Sequence, residues 1–164
     1  MSKIWKGQSN QTKLRILKAC VFPIALYGCE IWTLHQSDID RIQAFEMTCY
    51  RKILQITWKQ KITNEEVRKR MNLKGIGSHL IHHIKKQKLS YFGHIKRHNT
   101  IEKTIMEGKV EGKRSRGRPR RQWKDDIVSW LQVENITEAG RLALDRASYR
   151  NRVWAATSFT RDMP

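Results

Sequence analysis

The densest chemistry in the sequence lies between Lys109 and Lys124, where eight lysines and arginines share the stretch with one acid, Glu111. Lys113, Arg114, Arg116, Arg118, Arg120, Arg121 and Lys124 are its candidate contact residues. Cations at this density complement the phosphate oxygens of a polyanion, a contact that releases counterions and carries no base sequence information. The run Arg116-Gly117-Arg118-Pro119 also matches the core of an AT-hook. In that motif glycine lets the backbone approach the minor-groove floor, proline keeps it extended, and arginines enter the negative potential of narrow A·T tracts. A nuclear-import signal or a plain basic linker is the third reading of the same composition. Sequence alone leaves all three open.

Other reactive residue types occur without the spacing their chemistry needs. His79 and His83 stand at i, i+4, as do His94 and His98, but no CxxC or CxxxC pair supplies the further ligands of a structural zinc site, so neither metal nor cofactor is expected. No serine or cysteine sits in a nucleophile elbow. The adjacent acids Asp125 and Asp126 follow Trp123 in a helical pattern, where a solvated, charge-balancing face is the expectation. Cys20, Cys29 and Cys49 are odd in number and lie in apolar patterns, as reduced core thiols would.

The elements that must position these groups read as helices throughout. Only Pro23, Pro119 and Pro164 interrupt the chain, and no strand-like alternation is sustained. A first helix is expected over 12–32, bent or split by Pro23, with Leu14, Leu17, Val21, Ile24, Ala25, Tyr27 and Trp32 inward. A second, capped by Ser37 and Asp40 and ending near Thr57, would bury Ile39, Ile42, Phe45, Cys49, Ile53 and Ile56. Thr63 followed by Glu66 signals a short helix over 64–71, before Gly75 and Gly77. A fourth, 78–97, turns Leu80, Ile81, Ile84, Leu89, Phe92 and Ile95 inward. Its Lys85, Lys86, Lys88, Lys96 and Arg97 are expected outward, as a second phosphate-facing surface. A short piece follows over 101–107. Beyond the basic arm, a helix from Pro119 to Leu131 presents Trp123, Ile127, Trp130 and Leu131, and a last one over 138–156 presents Leu142, Leu144, Tyr149, Val153 and Trp154.

These patterns give an all-α chain: a tail (1–9), a helical bundle (10–97), a connecting helix (98–107), a basic linker (108–120), a small C-terminal helical unit (121–158) and a second tail (159–164). In 164 residues, 33 Lys and Arg against 15 Asp and Glu leave a formal charge of +18, whose self-repulsion in a compact state points to an anionic partner such as nucleic acid. No apolar run reaches the ~18 residues of a membrane span and the first residues lack a signal-peptide core. An intracellular location, nuclear or cytoplasmic, is expected.

Several separated signatures are similar, in order and spacing, to the region that follows the polymerase palm in endonuclease/reverse transcriptases of non-LTR retrotransposons. They are Leu26-Tyr27-Gly28-Cys29-Glu30-Ile31-Trp32, Phe45-Glu46-Met47, Arg51-Lys52-Ile53-Leu54, Ile56-Thr57-Trp58 and Asn64-Glu65-Glu66-Val67. Further on stand Phe92-Gly93-His94-Ile95-Lys96-Arg97, Gly108-Lys109-Val110-Glu111-Gly112 and Gly117-Arg118-Pro119-Arg120-Arg121-Gln122-Trp123. Asp145-Arg146 with Arg150 resembles the family's DR-x-x-WR, although Tyr149 stands where the family commonly has Trp. The resemblance implies a thumb-like bundle with the segment beyond it, binding RNA, an RNA/DNA hybrid or DNA in support of RNA-directed DNA polymerisation. It also implies a partner in the palm of a longer polypeptide. The family's catalytic aspartates sit in an FADD or YADD context that this chain lacks, so no polymerase activity is expected of it alone. An architectural AT-hook-like DNA binder and a nonfunctional retrotransposon-derived relic are the alternatives.

Overall fold

The computed structural model describes residues 7–73, 79–107, 117 and 120–157, and these are all-α, with no strand among them. The helices are α1 Asn10–Ile16, α2 Phe22–Ala25, α3 Gln36–Ile53, α4 Asn64–Arg70, α5 His79–Arg97, α6 Ile101–Met106, α7 Trp123–Leu131, α8 Ile136–Leu144 and α9 Arg146–Thr157. The chain divides into two compact units. One takes residues up to Tyr27 with Gln36–Ile81, and the other takes Gly28–His35 with the chain from His82 through α9. The border falls inside α5 rather than at the basic linker, so most of the helix assigned to the N-terminal bundle belongs with the C-terminal part.

In the first unit, Pro23 acts one turn earlier than a simple kink. Lacking an N–H, it cannot bond the carbonyl four residues back, and the preceding segment Leu17–Val21 is a π-turn in which the Phe22 N–H bonds the Leu17 carbonyl. The extra residue rotates everything after it. Phe22 and Leu26 turn inward, while Ile24, Ala25 and Tyr27, expected in the core, are exposed. Cys20, on that turn, is exposed as well, so of the three thiols Cys29 alone is fully buried. Burial pushes the Cys29 thiol up from its ordinary pKa, with the nearby Glu30 adding to the effect.

α3 is rotated too. It buries Glu46, Met47, Tyr50 and Ile53, leaving Phe45 exposed and Ile39, Ile42 and Cys49 half-buried. It ends at Ile53, short of Thr57, and Gln55 follows with a φ of 56°. α4 starts where its signature puts it, with the Thr63 hydroxyl accepting from the Glu66 N–H at 3.3 Å. Gly75 and Gly77 lie outside the described residues.

The second unit has one apolar core. Leu89 and Phe92 of α5 meet Ile127 and Leu131 of α7, Ala139 and Ala143 of α8, and Tyr149 and Val153 of α9. Gln122 and Asp125 cap α7 reciprocally, and the Gln122 N–H donates to the Asp125 carboxylate at 2.7 Å. The expected last helix is two: Asp145 leaves helical geometry at ψ 106° and its carboxylate accepts the Ala147 N–H at 3.0 Å, ending α8 and capping α9. That break turns Leu144 and Trp154 out to solvent, and small residues, Ala139 and Ala143, carry the α8 contact instead.

Tyr149 sits over Gly93, and its hydroxyl donates to the Leu89 carbonyl at 2.8 Å. A Cβ on Gly93 would lie 2.5 Å from Tyr149 Cε1 and 2.9 Å from Cδ1. Tyr149 is itself held in the core, so neither ring nor helix can yield cheaply. Gly93→Ala is therefore expected to cost about 1–3 kcal/mol, as overpacked cores do, and pairing it with Tyr149→Leu should recover part of that loss in urea melts. An unchanged midpoint for Gly93→Ala would refute the close approach.

Candidate nucleic-acid interface

The cations expected to face phosphates have different fates. Lys88 is corrected outright: it is 0% exposed and ion-paired with Asp126, itself 0% exposed. Its ammonium also donates to the Trp32 carbonyl at 2.7 Å and lies 5.0 and 5.3 Å from the ring centres of Trp123 and Trp130. Burial lowers its pKa from the ordinary lysine value, outweighing the opposing pull of Asp126. Asp126, expected on a solvated face, is corrected with it. Arg121 donates from Nε and Nη2 to Asp126 Oδ1 at 2.9 and 2.6 Å, and the Leu34 N–H donates to Oδ2 at 3.1 Å. The indole N–H of Trp123 donates to the Glu30 carbonyl at 2.7 Å. This cluster fastens the Gly28–His35 segment to α5 and α7 within the second unit.

Of the other α5 cations, Lys85 is half-buried with its ammonium 5.6 Å from the Trp130 ring centre, and desolvation lowers its pKa. Lys96 pairs with Glu107 at 3.1 Å, and Arg97 donates to the Ala143 carbonyl at 2.8 Å. Lys86 is exposed, as is Arg120 at the end of the linker, while Lys124 is half-buried. Lys113, Arg114, Arg116, Arg118 and Pro119 lie outside the described residues. Gly117 is exposed with a φ of 137°.

Lys86 opens onto a groove of about 670 Å³ in the second unit. Along one wall, α5 sets His82, Lys86, Ser90 and His94 at successive i+4 positions, with Arg97 beyond them. Along the other, α9 sets Arg146, Arg150 and Trp154 in a matching i+4 row, with Tyr149, Val153 and Thr157 forming the floor side of the same helix. Among the described residues, no carboxylate lines it. A cleft with cations on both walls holds a positive potential that an anionic chain would neutralise.

Arg146, Arg150, Trp154, His82 and His94 were not among the sequence candidates for binding. A signal existed for His94, Arg146 and Arg150, though not for His82 or Trp154: Phe92-Gly93-His94-Ile95-Lys96-Arg97 and Asp145-Arg146 with Arg150 are two of the separated signatures, and the structure brings them together. Tyr149 packs on Gly93, Asp145 caps the helix, and Arg146 and Arg150 project from its first turns into the groove. Among the described residues no group of three or more His, Cys, Asp or Glu converges as metal ligands would, and no helix is long and apolar enough to cross a membrane. No family model, curated protein or solved structure matches the chain.

Proposed function

We propose that the chain is a nucleic-acid-binding part of a reverse transcriptase of the non-LTR retrotransposon type, holding RNA or primer-template duplex through phosphate contacts while polymerisation is done by a palm elsewhere. The observation that carries the binding reading is the groove between α5 and α9, with cations on both walls and no carboxylate among its described lining residues, in a chain of net charge +18. Each wall carries residues of one signature on which the resemblance rests, His94 and Arg97 on α5 and Arg146 and Arg150 on α9. The phosphate-facing set is revised accordingly: Lys86, Arg146 and Arg150 on the groove, joined by Arg120 and by Lys113, Arg114, Arg116 and Arg118 of the linker. Lys88 and Arg121 serve the buried cluster instead.

Fluorescence anisotropy with duplex DNA, an RNA/DNA hybrid and RNA across a salt series tests this. Affinity should fall steeply with salt, with a log-log slope of about −0.9 per neutralised phosphate on B-form duplex. Lys86→Ala, Arg146→Ala and Arg150→Ala should each flatten the slope by about one unit, to a similar degree on every sequence. Arg116→Ala or Arg118→Ala costing more on A·T-rich than on G·C-rich duplex would instead favour the AT-hook reading of the linker. Salt-insensitive binding, or none at micromolar protein in low salt, would overturn the proposal.

A further inference from the structure

The row on α9 places two guanidinium groups and then an indole at i, i+4, i+8: Arg146, Arg150 and Trp154. Successive members stand about 6 Å apart along the helix axis, on the scale of one nucleotide of an extended strand. Trp154 is 72% exposed, and among the described residues no ring stacks on it and no partner takes its indole N–H. A large, rigid aromatic face left to water at the edge of a cationic cleft is a poor use of apolar surface for folding. It has the form of the platforms on which single-stranded nucleic acids stack their bases. A groove of about 670 Å³ is sized for a short length of one strand, and duplex bases, already stacked on each other, could not present a face to the indole.

We propose that the α5/α9 groove is a single-strand site. Arg146 and Arg150, with Lys86 opposite, hold consecutive phosphates, and Trp154 stacks an unpaired base at the end of the row. The inference rests on the nucleic-acid reading above and sharpens it, because phosphate contacts alone do not separate a strand from a duplex, whereas stacking on Trp154 does. The site takes any base, since every base has a stacking face.

The test uses the full chain and an oligonucleotide supplied as a single strand, as its duplex, and as a single strand of abasic residues. Wild-type protein should bind the base-bearing strand roughly tenfold more tightly than the abasic one, in keeping with one stacked base. Trp154→Ala should remove most of that factor and should lower the preference for strand over duplex by a similar amount, while Trp154→Phe keeps most of it. Because Trp154 is exposed, melting temperatures of both variants should stay near wild type, so lost affinity is not lost fold. Equal losses of Trp154→Ala on strand, duplex and abasic strand, or no loss on any, would overturn the single-strand site while leaving phosphate binding in place. Absence of all binding by the wild type would overturn both.

Discussion

Asp126→Ala is expected to destabilise the second unit by about 3–5 kcal/mol, the usual result of leaving one member of a buried ion pair behind. The variant strands Lys88 at zero exposure with the Trp32 carbonyl as its remaining oxygen partner, and it orphans the Leu34 N–H. The reciprocal change is milder. In Lys88→Met, Asp126 keeps the two Arg121 hydrogen bonds and the Leu34 N–H, and the thioether fills most of the lysine's volume between Trp123 and Trp130. Lys88→Met with Asp126→Leu should be more stable than Asp126→Ala alone, since no buried charge remains. Urea unfolding followed by tryptophan fluorescence gives the ordering, and hydrogen exchange should place the lost protection in α5, α7 and the Gly28–His35 segment. An Asp126→Ala variant as stable as Lys88→Met would refute the asymmetry.

The same cluster has a pH signature with a definite sign. Lys88 has its folded pKa below the ordinary 10.5 because burial outweighs the attraction of Asp126. Between those two pKa values the unfolded chain binds more protons than the folded one, so this group's contribution to stability rises with pH, and its penalty is fully present below the folded value. Removing Asp126 removes its hydrogen bond and its charge, the two largest influences that hold the pKa up, and leaves only the smaller pull of Asp125, so the window widens downwards. The stability difference between wild type and Asp126→Ala should therefore shrink from pH ~7 towards pH ~10, as the stranded ammonium loses its proton. A difference that is flat or grows over this range would mean that Lys88 escapes to water in the variant.

Much of this was written in the sequence in a form that residue type obscured. Lys88 stands four residues after Ile84 and four before Phe92, both fully buried, so its phase on α5 is a core phase. Asp126 stands three residues after Trp123 and four before Trp130 on α7. One cation and one anion, each in the middle of an apolar stripe, are the pattern of a buried pair. Their charges mask that phase, because Lys and Asp are almost never fully buried unless paired. At Leu80, Ile81, Leu89 and Ile95, where residue type and phase agree, the inward face of α5 is as expected. Local capping chemistry was legible only in part: Thr63 with Glu66 starts α4, but α3 begins at Gln36, so Ser37 and Asp40 lie within its first turns rather than capping it, and the Asp145 cap was hidden inside an apolar pattern. The π-turn before Pro23 was beyond periodicity, because proline admits a kink, a break or an inserted residue, and tertiary packing chooses among them. The groove needed the fold, since its walls come from distant parts of the sequence, His82 to Arg97 and Arg146 to Thr157, on helices that each pattern well alone.

The other large effect lies in the first unit, at a carboxylate the apolar pattern of α3 passed over. Glu46 is buried, and its Oε1 accepts the Tyr50 hydroxyl at 2.6 Å and the His79 N–H at 2.9 Å. The second bond matters because the first N–H groups of α5 have no helical acceptor and carry the positive end of the helix dipole. Glu46 thus caps a helix 33 positions away in sequence and fixes where α5 begins. The Tyr50 phenol is pushed far above its ordinary pKa, first by burial and then by its bond to Glu46, so it stays a donor at every accessible pH. Glu46→Ala leaves a buried hydroxyl and a helix-terminal N–H without partners, at about 1–3 kcal/mol each, and a total near 3 kcal/mol is expected. Glu46→Gln keeps an acceptor oxygen in place and should cost about a third of that, while Tyr50→Phe, which removes the donor but leaves Glu46 on His79, should cost about 1 kcal/mol. Denaturant melts of the three variants measure the order. Glu46→Gln as damaging as Glu46→Ala would mean that the negative charge at the α5 terminus, rather than the hydrogen bonds, holds the helix. A Glu46→Ala chain within 0.5 kcal/mol of wild type, the usual range of a plain surface substitution, would mean that α5 begins without it.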